Sequence, residues 1–142
     1  MGQPETASEA CALSVTLHRY FIWANRMRTH FDEIISKGPL DGAAEIESFL
    51  YMSYWYGGLY VVIEGWRELK LADATIEEML QSPNVELLRR YRNGVFHFQK
   101  DYMDERFLSF MAEGNDSVSW VRSLNQQFGR YFLEILRRGR SD

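Results

Sequence analysis

The side chains with the greatest chemical capacity stand close together at Arg92, Asn93 and His97. An imidazole takes up and gives back protons near neutral pH. A guanidinium holds an oxyanion in a fixed fork, and a carboxamide orients either partner through hydrogen bonds. On a wheel of about 100° per residue, Leu88, Tyr91, Val95, Phe98 and Tyr102 form one apolar stripe. Asn93 and His97 lie one turn apart on the opposite side with Arg89 and Lys100, and Arg92 takes the flank beside Phe96. The spacing therefore predicts a rigid helix that buries its stripe and projects Arg92, Asn93 and His97 over a polar surface. Arg89, Arg90 and Lys100 would make a substrate-binding rim around them. From Glu86 to Lys100 four positive charges face one negative, in a chain whose net charge is −4. A solvated basic face paired with acidic neighbours is the plain alternative to a site.

The pattern offers only helices to position these residues. From about Thr6 to Ser36, Leu13, Leu17, Tyr20, Met27, Phe31 and Ile34 recur at helical spacing, and Lys37-Gly38-Pro39 ends the run. From about Ala43 to Leu71 the chain is apolar nearly all round, which belongs at the centre of a bundle. Gly57-Gly58 inside that segment predicts a close helix approach or a bend. A short helical turn follows at Ile76 to Leu80, and Ser82-Pro83 then opens the helix that carries Arg92 and His97 to about Tyr102. A break near Asp104 precedes Phe107 to Met111. After a loop at Glu113 to Asp116, Asp116 or Ser117 caps a last helix to about Arg138. Alternating strand patterns are absent. The expectation is an all-α, up-and-down bundle of four to five helices, one domain over residues 1–142 with a short flexible N-terminus over about residues 1–6.

Arg92, a polar Asn93 directly after it, and His97 on a late helix of a small bundle resemble the signature of the HEPN family (higher eukaryotes and prokaryotes nucleotide-binding). That signature is an Arg followed, after about four to six residues, by a His, often with a polar residue next to the Arg. The resemblance is sharp only over Arg92 to His97, although the apolar segment Tyr51 to Trp66 also has a counterpart in the family. It implies a HEPN-like bundle and metal-independent RNA cleavage at a composite site where two copies of the motif meet in a homodimer. In such a site an RNA 2'-hydroxyl is a built-in nucleophile. It needs a proton acceptor, a donor for the leaving oxygen and a cation for the charge on phosphorus. Two copies of His97 would divide the proton transfers, Arg92 would hold the phosphate, and Asn93 would orient His97 or the phosphate. A toxin or defence role, and an antitoxin or other protein partner, follow from the family alone. A non-catalytic helical dimer that binds a protein or ligand through the same face is the alternative.

Other constellations offer less. His18 and His30 lack a partner at metal-ligand spacing, so neither a metal nor another cofactor is expected. Asp101, Asp104 and Glu105 follow His97 closely and read as a solvated rim. No phosphate-cradling glycine motif is present, because Gly57-Gly58 lacks the Lys-Ser/Thr sequel. The aromatic segment Tyr51, Tyr54, Trp55, Tyr56 and Tyr60 reads as core. A ligand pocket around Tyr54 and Trp55, or a platform for stacking bases, is the functional counterpart.

Composition fits this picture. Hydrophobic residues make up 46%, enough for a core without disulfides, and charged residues 25%, an ordinary globular share. The acidic balance speaks against a general nucleic-acid binder but not against a local basic site. One cysteine, Cys11, cannot form an internal disulfide. It reads as a small buried residue of a cytoplasmic protein. Phe49 to Ile63 is too short for the ~20 apolar residues of a membrane span and reads as a buried helix, so no membrane partner is expected.

Overall fold

The computed structural model describes residues 7–113 and 116–141; the flexible N-terminus expected over residues 1–6 lies outside them. Among the described residues the fold is all-α, with six helices and no strand: α1 (Ala7–Ser36), α2 (Gly42–Glu68), α3 (Ala74–Met79), α4 (Asn84–Phe96), α5 (Glu105–Glu113) and α6 (Ser117–Ser141). The short α3 is the turn expected near Ile76. No helix among the described residues is long and apolar enough to cross a membrane.

α2 is the hub. Trp55, Tyr56, Leu59, Val62, Ile63 and Trp66 are buried along it, against Leu17, Phe21 and Ala24 of α1, Leu88 and Tyr91 of α4, Phe110 of α5, and Trp120, Leu124, Phe128 and Phe132 of α6. Each aliphatic or phenyl side chain so buried contributes roughly 1.5–3 kcal/mol. α1 runs antiparallel to α2, with Ala24 at Gly58, Leu17 at Gly65, and the His30 ring stacked on Tyr51 at 5.0 Å. The glycine pair is the expected close approach: a Cβ on Gly58 would stand 3.1 Å from the Ala24 Cβ. The polar groups that this packing buries find partners. The Trp55 indole donates to Asn125 Oδ1 at 3.0 Å, and the Asn125 amide donates to Asn25 Oδ1 at 3.0 Å. Ser53 and Tyr91 share a hydrogen bond of 3.1 Å.

The helix ends have local causes. Gly38 sits at φ 119°, a conformation that suits glycine, and Pro39 follows it. α2 closes in a Schellman motif: the Leu71 N–H donates to the Trp66 carbonyl at 3.1 Å and the Lys70 N–H to the Arg67 carbonyl at 3.1 Å. The left-handed residue of that motif is Lys70, at φ 53°, rather than the usual glycine. At the start of α4 the Ser82 Oγ accepts from the Asn84 N–H at 3.1 Å, while Pro83, expected as the first helical residue, stands at the cap position. The Asp116 carboxylate instead accepts from the Asn84 amide at 2.8 Å, tying the entry of α6 to the start of α4.

Two expectations are overturned. α4 stops at Phe96, not near Tyr102, and the exposed Phe98 and Tyr102 (93% and 75%) leave the core stripe to Leu88, Tyr91 and the half-buried Val95. The cause is tertiary. Phe107 and Phe110 of α5 pack on Tyr91 at 5.1 and 5.8 Å, so the chain must turn back. A straight helix would carry them away by ~1.5 Å per residue. Gly94 admits this return, because a Cβ there would lie 2.9 Å from the Phe107 ring. Cys11, expected to be buried, is exposed on the first turns of α1.

Candidate active site

Arg92 and Asn93 occupy the last turns of α4, on its solvent side. The half-buried Arg92 is held from three directions. Its Nη1 donates to Glu64 of α2 at 2.5 Å, its Nε donates to Asn93 Oδ1 at 3.0 Å, and its guanidinium lies 4.8 Å from the centre of the Tyr60 ring. Tyr60 and Glu64 are one turn apart on α2, so a single face of that helix supplies both the ring and the carboxylate. Burial, reinforced by the Glu64 charge, pushes the Tyr60 hydroxyl above its ordinary range, while Arg92 pulls the other way. Tyr60 therefore stays neutral at physiological pH and serves as a surface for the guanidinium.

His97 lies outside the helix that was expected to carry it. Its backbone is extended (φ −120°, ψ 131°), although its N–H still closes the last turn onto the Asn93 carbonyl at 3.1 Å. The exposed imidazole makes no hydrogen bond or ion pair with another described residue. The His97 carbonyl accepts from the Gln99 amide at 2.8 Å, which fixes the backbone just past the helix end. Asn93 thus touches both functional neighbours, Arg92 through its side chain and His97 through its main chain. The wheel had placed the Asn93 side chain beside the imidazole.

The basic rim is largely matched by carboxylates. Arg89 grips Glu86 through two hydrogen bonds, of 2.9 and 2.5 Å. Arg90 lies 3.7 Å from Glu105 on α5. Lys100, exposed in the segment between α4 and α5, forms no ion pair with a described residue. Asp104, expected as rim, accepts from the Arg106 backbone N–H at 2.9 Å and pairs with its guanidinium at 3.1 Å. Those contacts hold its carboxyl below the usual range.

Phe96, the last residue of α4, seats its ring over Gly57. A Cβ on that glycine would stand 2.8 Å from the ring, and Tyr54 meets Phe96 edge-on at 5.9 Å. Tyr54 and Leu50 are exposed along the same side of α2, and Tyr20 and Trp23 are exposed on α1. Trp55, by contrast, is fully buried and faces α6. Tyr54 meets Phe96 of α4 whereas Trp55 donates to Asn125 of α6, so the two side chains serve different faces of α2. A groove of about 380 Å³ opens between α1 and α2, with Glu64 at its edge. A smaller space of about 280 Å³ lies among Phe31, Leu40, Phe49, Met52, Tyr102 and Met103. Neither is lined by Arg92 or His97.

Sequence reasoning missed Glu64, and it read Tyr60 as core or a base-stacking platform rather than as a support for Arg92. The one signal for Glu64 was its place as the charge that closes the apolar run of α2. Comparison of the chain with models of known protein families, with curated proteins and with solved structures finds no match.

Proposed function

We propose that this chain is a metal-independent endoribonuclease of the HEPN type, with a composite active site formed between two copies. The supporting observation is the fixed Arg92 guanidinium, held by Glu64, Asn93 and Tyr60, close in the chain to a solvent-open imidazole at His97. Nε and Nη1 are engaged, so the remaining Nη2 is the nitrogen a phosphate would meet. One site has a single imidazole and cleavage needs both an acid and a base, so a second copy completes the chemistry. In the proposed reaction one His97 removes the 2'-hydroxyl proton and the oxygen attacks phosphorus. The other His97 protonates the departing 5'-oxygen, leaving a 2',3'-cyclic phosphate. Arg92 stabilises the charge that builds on the phosphoryl oxygens. The exposed apolar residues Tyr54, Phe96, Tyr20 and Trp23 offer a surface for pairing next to the site.

The Glu64 contact also favours a second reading. A guanidinium already neutralised by a carboxylate suits a binding module that never cuts. RNA incubated in chelator decides between the two. The proposal expects cyclic-phosphate ends from the wild type and a loss of at least ~100-fold in His97→Ala, the scale of general acid–base catalysis. Equal cutting by both proteins excludes His97 as catalyst. No cutting by a dimeric wild type leaves the binding module.

A further inference from the structure

The groove between α1 and α2 combines an apolar lining with an acidic edge. Leu13 and Leu17 of α1, Val61 of α2 and Leu69 after it line about 380 Å³, within the size range of small-molecule sites. Leu17 packs directly on Gly65, whose missing side chain lets the two helices close up along the groove floor. Glu64 and Glu68, one turn apart on α2, supply the charge. Their states differ. Glu64 is engaged by Arg92, whereas the exposed Glu68 carboxylate forms no ion pair with a described residue. Thr16 is not a free donor, since its hydroxyl bonds to the Ala12 carbonyl at 3.0 Å. The groove therefore presents an apolar slot and an uncompensated negative charge, with no cation among its lining residues. An anionic or purely polar ligand finds nothing to hold it there, whereas an apolar stem ending in a cation finds both of its requirements.

We propose that this groove binds a small organic amine, an ammonium group on an alkyl or aryl stem. The stem lies along Leu13, Leu17, Val61 and Leu69, and the ammonium pairs with Glu68. The groove borders the proposed cleavage site through Glu64, which holds Arg92, but the ammonium's partner Glu68 makes no bond to Arg92, Asn93 or His97. Its test therefore reads binding and not activity.

The experiment is a titration of isotope-labelled protein, followed by amide resonances, with n-hexylammonium, n-hexanol and hexanoate. Hexylammonium should shift Leu17, Gly65 and Leu69 and bind about tenfold more tightly than hexanol, the scale of one charge-assisted hydrogen bond, with hexanoate weaker still. Glu68→Gln should bring hexylammonium down to the level of hexanol and leave hexanol unchanged. Val61→Trp, which fills the slot, should weaken both. Equal binding of amine and alcohol to the wild type overturns the proposal. So does a Glu68→Gln protein that keeps the preference for the amine, or the absence of any shift in the groove. Glu68 is exposed, so its variant folds, and an unchanged far-ultraviolet spectrum checks this.

Discussion

Arg92 is the residue on which site chemistry and structure meet. Its contacts are directional: Nε to Asn93, Nη1 to Glu64, and the planar face to Tyr60. A lysine can keep the charge but cannot make all three contacts together, so on the proposed RNA-cutting reading Arg92→Lys should lose RNA affinity nearly as fully as Arg92→Ala. Glu64→Gln should do the opposite. It removes the competing carboxylate, and a 2'-deoxy substrate analogue that cannot be cut should bind several-fold more tightly, with a steeper dependence on salt. Unchanged affinity in Glu64→Gln would mean that the Arg92 charge does not serve phosphate binding. The helical placement of Arg92 and Asn93 was legible in the chain because it is local, but that of His97 was not, because α4 ends one residue before it. Glu64 was not, because it comes from another helix and nothing near Arg92 in sequence points to it.

Helices α1, α2 and α6 were legible from periodicity, since long amphipathic or fully apolar runs leave little choice. The end of α4 was not. Val95, Phe98 and Tyr102 continue the helical stripe on paper, and only the return of α5 onto Tyr91 shows why the helix stops. Gly94 is the residue that permits this. Gly94→Ala would normally stabilise a helix, but here the methyl meets the Phe107 ring at 2.9 Å and the Arg106 Cβ at 3.2 Å. The overpacking should destabilise the fold by about 1–3 kcal/mol in chemical denaturation. Lys70→Gly should act in the reverse sense. Lys70 is held in the left-handed region at φ 53°, so glycine there should stabilise by about 0.5–1 kcal/mol. A lower melting temperature for Lys70→Gly would contradict the Schellman reading of the α2 terminus.

At the scale of the whole molecule, acidification should lower the stability of the bundle in two stages. His18 stacks on Phe132 at 5.0 Å, and burial lowers its pKa below 6.5. The unfolded chain takes up that proton first, so stability falls as pH drops through 6.5 towards the folded value. Asp32 and Asp73 act lower. Burial alone would raise both, but Arg122 and Arg28 hold Asp32 below the ordinary carboxylate value of 3.8, and Arg130 with the Ile76 N–H does the same for Asp73. Their contribution is complete above 3.8 and is lost as pH falls below it. Melting temperature against pH should show both stages, and His18→Phe should erase the first. The proposed dimer makes a separate demand. Tyr54→Lys, on the exposed side of α2, should convert a sedimenting dimer to monomer and abolish RNA cutting together, whereas a monomeric variant that still cuts would rule out a shared site.

The seating of Phe96 over Gly57 reaches further than local packing. A notch in one rod receives the tip of another, and the chain departs from the bundle at that joint. The address of the imidazole is thus written some forty positions upstream, at a residue with no side chain of its own. Filling the notch, as in Gly57→Leu, should dislodge the tip and swing the exit segment with it. Loss of function would then arise without any change to a reacting group, and damage mapped by sequence distance alone would be assigned to the wrong helix.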